Sequence, residues 1–178
     1  FGSGPEEIAL VRNATEALKT VLYGFPLKAG DEVLTTMQDY GSMVSALKNR
    51  EKEEGIRLVQ VRVPTPPESM DDLVAIFERA ITSATKLILV SHVTYTAGQV
   101  FPVKRICDLA HQHGIEVVVD GAHAFGQIDF KVSELGCDYY GSSLHKWLYA
   151  PKGTGMLYMR AAHVEKIKPL YGTYTSRR

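Results

Sequence analysis

The chain has 178 residues, of which 45% are hydrophobic and 22% are charged, and its 20 basic and 20 acidic residues give a formal net charge of zero. This composition is typical of one globular domain that is large enough to bury a core. Without a basic excess, neither nucleic acid nor an anionic membrane is an expected partner, and no apolar run approaches the roughly 20 residues of a membrane span.

The two cysteines, Cys107 and Cys137, do not form a CxxC pair, so the sequence predicts neither a metal site nor a redox motif. We expect both to be packed thiols in a reducing, cytoplasmic setting. The chain begins at Phe1 without a methionine and ends without an evident closing element. We therefore expect a fragment of a longer protein.

Helical and strand patterns alternate along the whole chain. In chain order, the predicted elements are a helix over 16–23, a strand over 32–36, a helix over 42–54, a strand over 56–63, a helix over 71–82, a strand over 87–90, a helix over 103–113, and strands over 115–119, 138–142 and 154–159. Strands that alternate with helices of about a dozen residues indicate an α/β fold with a mostly parallel sheet flanked by helices.

Polar segments follow three of the predicted strands, at residues 91–94, 120–123 and 142–146. In parallel α/β sheets, ligands bind beyond the carboxyl ends of the strands, where such segments come together. The sequence therefore predicts a binding site formed by these three segments.

Asp120 comes directly after the apolar run 117–119. An aspartate at the end of a buried strand is costly to bury without a partner. It is either a turn or helix-capping residue, or a carboxylate that faces a cation such as a pyridinium nitrogen.

Lys146 lies between His145 and Trp147, shortly before a turn at 151–153. Most lysines are solvated surface residues. Aromatic flanks favour partial desolvation, which lowers the pKa of the amine and frees it to attack an aldehyde.

The remaining candidates have weaker signals. Asn13 and Glu16 are typical of a capping box, and the same helix start offers backbone N–H groups, with the hydroxyl of Thr15, to a phosphate. Tyr40 is either an ordinary half-buried aromatic residue or a ring stacked on a flat cofactor. Histidines also follow three predicted strands, at His92, His123 and His145.

Together, these motifs resemble the core signature of class V aminotransferases, which are pyridoxal-5′-phosphate (PLP) enzymes of fold type I. The signature is carried by residues 118–123, 143–147 and 151–155, and residues 13–17, 39–40 and 91–94 fit in the right order. The detail is closest to the isopenicillin N epimerase-like branch, which is related to the cysteine desulfurases. A tyrosine at position 40 and a histidine at position 123 depart from the usual desulfurase pattern.

The resemblance implies a role for each candidate. Lys146 would form the Schiff base with PLP and move the α-proton of the substrate, and Asp120 would pair with the pyridinium nitrogen. Tyr40 would stack on the ring, His123 would lie near the ring hydroxyl, and Thr94 would touch the ring hydroxyl or the substrate. The phosphate would be held by Ala14, Thr15, Ser143 and His145.

The resemblance also implies that residues 1–178 are the PLP-binding large domain, without the smaller C-terminal domain, of a homodimeric enzyme. Its substrate would be an amino acid or a related amine, and the reaction transamination, epimerisation or carbon–sulfur elimination. Contacts with the neighbouring subunit would begin after Tyr171 and Gly172. Two alternatives stay open: a PLP-binding regulatory module without catalysis, and an α/β domain that binds another phosphate ligand.

Overall fold

The structure, a computed structural model, describes residues 1–170. Its helices and strands are, in chain order, β1 (Ile8–Val11), α1 (Ala14–Gly24), β2 (Glu32–Thr36), α2 (Gly41–Glu54), β3 (Arg57–Val61), α3 (Met70–Ala80), β4 (Thr85–Ser91), α4 (Val103–Gln112), β5 (Glu116–Asp120), α5 (Val132–Leu135), β6 (Tyr139–Ser143) and β7 (Gly155–Met159). Two short 3-10 helices lie at Pro5–Glu7 and Ala161–Lys166. The intersubunit contacts predicted to begin after Tyr171 and Gly172 lie outside the described residues.

The seven strands form one sheet in the order β1-β7-β6-β5-β4-β2-β3. Strands β2 to β6 are parallel, whereas β7 is antiparallel to β6 and β1 is antiparallel to β7. The predicted α/β fold with a mostly parallel sheet is therefore confirmed. In such a sheet the carboxyl ends of the parallel strands lie along one edge, where ligands bind.

Both faces of the sheet are buried under helices, and successive side chains of a strand point to opposite faces. In β5, Val117 and Val119 belong to one apolar core with Ile106 of α4. Val118, between them, packs in a second core with Leu18 of α1. Burial on both faces explains why this strand has a continuous apolar sequence.

Each predicted helix and strand is present, and its ends lie within two residues of the predicted ones. Strand β1 and the four-residue helix α5 were not predicted. Strand β1 has only four residues and pairs with β7, which lies near the other end of the chain. Because its pairing partner is far away in the chain, these four residues by themselves did not indicate a strand.

Both cysteines are buried and unpaired, as expected of packed thiols. Burial raises the pKa of Cys137 to about 12, so its thiol stays protonated and unreactive. Within residues 1–170, none of the helices is both long and apolar enough to cross a bilayer.

Candidate functional site

The carboxyl ends of β4, β5 and β6 border a cavity of about 250 Å³, which the start of α1 also lines. The three polar segments predicted to meet here do so. Eight of the nine predicted site residues line the cavity: Ala14, Thr15, Tyr40, Asp120, His123, Ser143, His145 and Lys146.

Thr94, the ninth residue, is buried and closes a turn instead of lining the cavity. Its backbone N–H donates to the carbonyl of Gln99 at 3.0 Å, and its hydroxyl oxygen accepts the N–H of Gln99 at 3.1 Å. Its neighbours Val93 and Tyr95 line the cavity. The turn fixes the backbone conformation of this segment. A direct contact between Thr94 and a ligand stays a prediction.

Helix α1 begins at the cavity with the predicted cap, since Oδ1 of Asn13 accepts the N–H of Glu16 at 2.9 Å. The predicted capping box is wrong in its second half. The carboxylate of Glu16 accepts the N–H of Arg12 at 2.7 Å and pairs with its guanidinium, rather than with the N–H of Asn13. The charge of Arg12 makes it the stronger partner for this carboxylate.

The first turn of α1 and the end of β6 meet through a hydrogen bond from the N–H of Ala14 to Oγ of Ser143, at 2.8 Å. Because that oxygen accepts, the hydroxyl hydrogen of Ser143 is available to another acceptor. Nδ1 of His145 lies 3.2 Å from the carbonyl oxygen of Thr154 and therefore carries a hydrogen, which leaves Nε2 for a ligand. With the side chain of Thr15 and the positive end of the helix dipole, this corner suits an anion.

Asp120 lies at the end of β5 and is 6% exposed. Its Oδ1 accepts the N–H of Ala122 at 3.0 Å. Burial raises the pKa of Asp120 to about 6, and the nearby carboxylate of Asp39 also raises it. The hydrogen bond from Ala122 and, to a smaller extent, the amine of Lys146 lower this pKa. A carboxyl group in this environment favours a cationic or hydrogen-donating partner.

Asp39 is a structural residue beside the cavity, with a role that the sequence pattern did not predict. It is buried and accepts five hydrogen bonds of 2.7–2.8 Å, from the hydroxyls of Thr35, Thr36 and Ser91 and from the N–H groups of Thr36 and Ser91. These bonds join the end of β2 to the end of β4. They also fix the position of Asp39, which directly precedes Tyr40. The available signal was a pair of threonines followed closely by an aspartate, a pattern typical of local side-chain-to-backbone bonding.

Two half-exposed tyrosines, Tyr40 and Tyr95, stand at the mouth of the cavity. Their ring centroids are 5.4 Å apart and their planes are nearly perpendicular, at 84°. The pair presents apolar ring surface beside a polar cavity, which suits a flat ligand.

Lys146 has its Nζ 3.1 Å from Nε2 of His123, and Nδ1 of the same histidine lies 3.2 Å from the indole nitrogen of Trp147. Partial burial of the amine lowers the pKa of Lys146, and the charge of Asp120 opposes this. Burial, together with the charge of Lys146, also lowers the pKa of His123. A lowered pKa raises the fraction of the lysine that is present as the neutral, nucleophilic amine.

The sequence model of the class-V aminotransferase family matches residues 2–176. The chain is 34% identical to the isopenicillin N epimerase of Streptomyces clavuligerus over 169 residues, which are 95% of this chain and 42% of that protein. It is also 34% identical to a probable cysteine desulfurase of Halalkalibacterium halodurans over 173 residues, which are 94% of this chain and 41% of that protein.

Two solved structures of C-DES superpose on the chain with TM-scores of 0.89, at 27% and 28% identity. Each covers 94% of this chain, and the chain covers 44% and 45% of them. One is a mutant with glycine covalently linked to the PLP cofactor, and the other is the cystine C-S lyase with its reaction product cysteine persulfide.

The sheet, the cavity at its carboxyl edge and the likeness to these structures define an α/β protein of fold type I. The chain belongs to the class-V aminotransferase family. The resemblance predicted from the motifs is thus confirmed, and with it the PLP dependence of the family. The chain spans about two fifths of the length of the curated relatives it matches.

Proposed function

We propose that residues 1–178 are the cofactor-binding large domain of a PLP-dependent enzyme that acts on an amino acid or a related amine. The observation that carries the proposal is the meeting of Lys146, Asp120 and the start of α1 around one cavity. Membership of the class-V aminotransferase family supports it.

The described residues fit PLP at each of its polar groups. The start of α1 and the free hydroxyl hydrogen of Ser143 suit the phosphate. The buried carboxyl of Asp120 suits a protonated ring nitrogen, because a cation offsets the desolvation of a carboxylate. A different phosphate ligand accounts for the helix start but not for a buried aspartate opposite a lysine.

When bound, PLP would supply an electrophilic carbon and a ring that withdraws electrons from the substrate. Lys146, whose lowered pKa favours the neutral amine, would hold the cofactor covalently at that carbon and would carry a proton to or from the α-carbon of the substrate at Nζ. Asp120 would hold the proton of the ring nitrogen, Tyr40 would cover one ring face, and His123 would lie near the ring hydroxyl. The phosphate would be held by Ala14, Thr15, Ser143 and His145.

Transamination, epimerisation and carbon–sulfur elimination all use this lysine and this aspartate. Relatives named for two of these chemistries align with the chain at equal identity. We favour the epimerase-like branch because Tyr40, His123 and residues 144–147 fit its pattern.

We further propose that the enzyme is a cytoplasmic homodimer. Two unpaired, buried cysteines favour a reducing compartment. Trp147, Leu148 and Tyr149 form an exposed apolar run beside the cavity, which suits a contact with a second subunit.

Borohydride reduction of the PLP-loaded, full-length protein, followed by peptide mass analysis, tests the proposed function. We expect a reduced pyridoxyl adduct on the peptide that contains Lys146. We expect Lys146→Ala to abolish both the adduct and turnover, because its side chain has no amine. Lys152→Ala, a matched change in the same exposed loop, should leave both intact.

A folded wild-type protein that forms no adduct in excess PLP would contradict the proposed function. That result would favour an α/β domain for another phosphate ligand. Wild-type turnover in Lys146→Ala would equally contradict the role of the lysine.

A further inference from the structure

His123 contacts two different partners through its two ring nitrogens. Nδ1 lies 3.2 Å from Nε1 of Trp147, and Nε2 lies 3.1 Å from Nζ of Lys146. The imidazole is therefore a bridge between an indole and the lysine of the cavity.

With both contacts acting as hydrogen bonds, the hydrogens of this bridge have a single consistent arrangement. An indole nitrogen donates and cannot accept, so Nδ1 of His123 must accept and carries no hydrogen. A neutral imidazole then has its hydrogen on Nε2, which donates to Lys146. An ammonium group has three hydrogens and no lone pair, so Nζ of Lys146 accepts this bond only as a neutral amine.

The surroundings favour the same protonation states. Burial is the main cause that lowers the pKa of His123, and a lowered pKa favours the neutral ring. Burial lowers the pKa of Lys146, and Asp120 is the charged group that opposes this. The other titratable residues that line the cavity are Tyr40, Tyr95 and His145.

The backbone of Trp147 packs closely against Gly126. A Cβ at Gly126, whose φ is +85°, would lie 2.9 Å from the carbonyl carbon of Trp147, so this close approach requires glycine. Tyr149, two residues after Trp147, has a φ of +57°, in the left-handed region that non-glycine residues rarely adopt. The indole is thus presented to His123 by a defined loop.

We propose that Trp147 is a positioning residue that acts through His123 to keep Lys146 as a neutral amine. The same bond directs the Nε2 hydrogen of His123 towards the cavity. The inference rests on the proposed function in one respect only: there, the neutral amine is the form that attacks the cofactor aldehyde.

Trp147→Phe in the cofactor-free, full-length protein tests the proposal, because it keeps an aromatic ring and removes the indole N–H. Nitrogen-15 NMR of the histidine side chains reports which nitrogen of His123 carries the hydrogen, with His123→Gln to assign the signal. The rate of acetylation at Lys146 against pH, followed by peptide mass analysis, reports the apparent pKa of the amine. Tyr149→Phe is the matched control at a neighbouring exposed aromatic residue.

In the wild type we expect the hydrogen on Nε2 of His123. In Trp147→Phe this preference is lost, and Lys146 is acetylated about fivefold more slowly near neutral pH, as expected for the loss of one ordinary hydrogen bond. Tyr149→Phe should match the wild type in both measurements.

An unchanged acetylation profile in Trp147→Phe would overturn the proposal. A hydrogen on Nδ1 of His123 in the wild type would also overturn it, and that measurement needs no variant to fold. A protein with the expected tautomer and lysine reactivity that forms no adduct in the borohydride experiment would contradict the cofactor assignment alone.

Discussion

Asp39 and Asp120 are two buried carboxyl groups at the same edge of the sheet, yet their environments differ. Asp39 accepts five hydrogen bonds, which offset its loss of hydration. Asp120 accepts the N–H of Ala122, and burial raises its pKa to about 6. Asp39 therefore has a structural role, whereas Asp120 retains an unbalanced charge that a cationic ligand can neutralise.

Asp120→Asn should stabilise the cofactor-free protein while impairing catalysis. The folded-state pKa of about 6 exceeds the ordinary value of 3.8, so the folded state binds this proton more tightly than the unfolded state does. The stability of the wild type therefore falls as pH rises between these two values, by about 3 kcal/mol in total. A neutral asparagine avoids this loss.

Urea unfolding of the cofactor-free wild type and Asp120→Asn measures the difference. We expect the variant to be more stable by about 3 kcal/mol at pH ~7, with a much smaller gap at pH ~4, where Asp120 is largely protonated in the folded state and partly protonated in the unfolded state. A gap of the same size at both pH values would mean that charge burial is not its source.

At the scale of elements, helices α1 and α3 have equivalent N-caps in different places. Oδ1 of Asn13 accepts the N–H of Glu16 at 2.9 Å, and Oγ of Ser69 accepts the N–H of Asp72 at 3.0 Å. Only the first of these two helix starts lines the cavity. A comparison of the two caps therefore distinguishes the effect of a cap on protein stability from its effect on phosphate binding.

Asn13→Ala and Ser69→Ala should each lower the free energy of unfolding by about 1 kcal/mol, since each removes one capping bond. Asn13→Ala should also weaken PLP binding several-fold, because the backbone N–H groups beside the phosphate are less well ordered. Urea unfolding and absorbance titration with PLP measure the two effects. Equal loss of PLP affinity in both variants would argue against a phosphate at the start of α1.

At the scale of the whole molecule, the two ends of the parallel strands have different roles. The cavity lies at the carboxyl ends, while Asp138, 1% exposed, lies at the amino end of β6. Asp138 accepts the N–H of Val117 at 2.8 Å, and Nε2 atoms of His111 and His163 lie 2.9 and 3.2 Å from its oxygens. It thus joins β5, α4 and the 3-10 helix Ala161–Lys166.

Asp138→Asn should destabilise the fold by roughly 3 kcal/mol or more, because an amide replaces one of the accepting oxygens and leaves buried donors unpaired. Urea unfolding measures this loss. The borohydride adduct on Lys146 should still form in the folded fraction, since the change is at the opposite end of the sheet. Loss of the adduct in protein that remains folded would show that the two ends are coupled.

The sequence by itself determined the α/β class, the ends of most helices and strands, and the residues around the cavity. Hydrophobic periodicity and strand-end chemistry are encoded in short windows, so Asp120 and Lys146 were identified from their immediate neighbours. Their motifs, in order, identified the family.

The tertiary structure alone decided the partners of these residues. It paired β1 with β7, turned Glu16 towards Arg12, gave Asp39 its five donors and linked Trp147 to Lys146 through His123. Each of these contacts depends on the direction of a side chain or on a segment distant in the chain. Local patterns do not record such geometry, because a hydrogen bond forms only where the folded backbone brings a donor within about 3 Å of an acceptor.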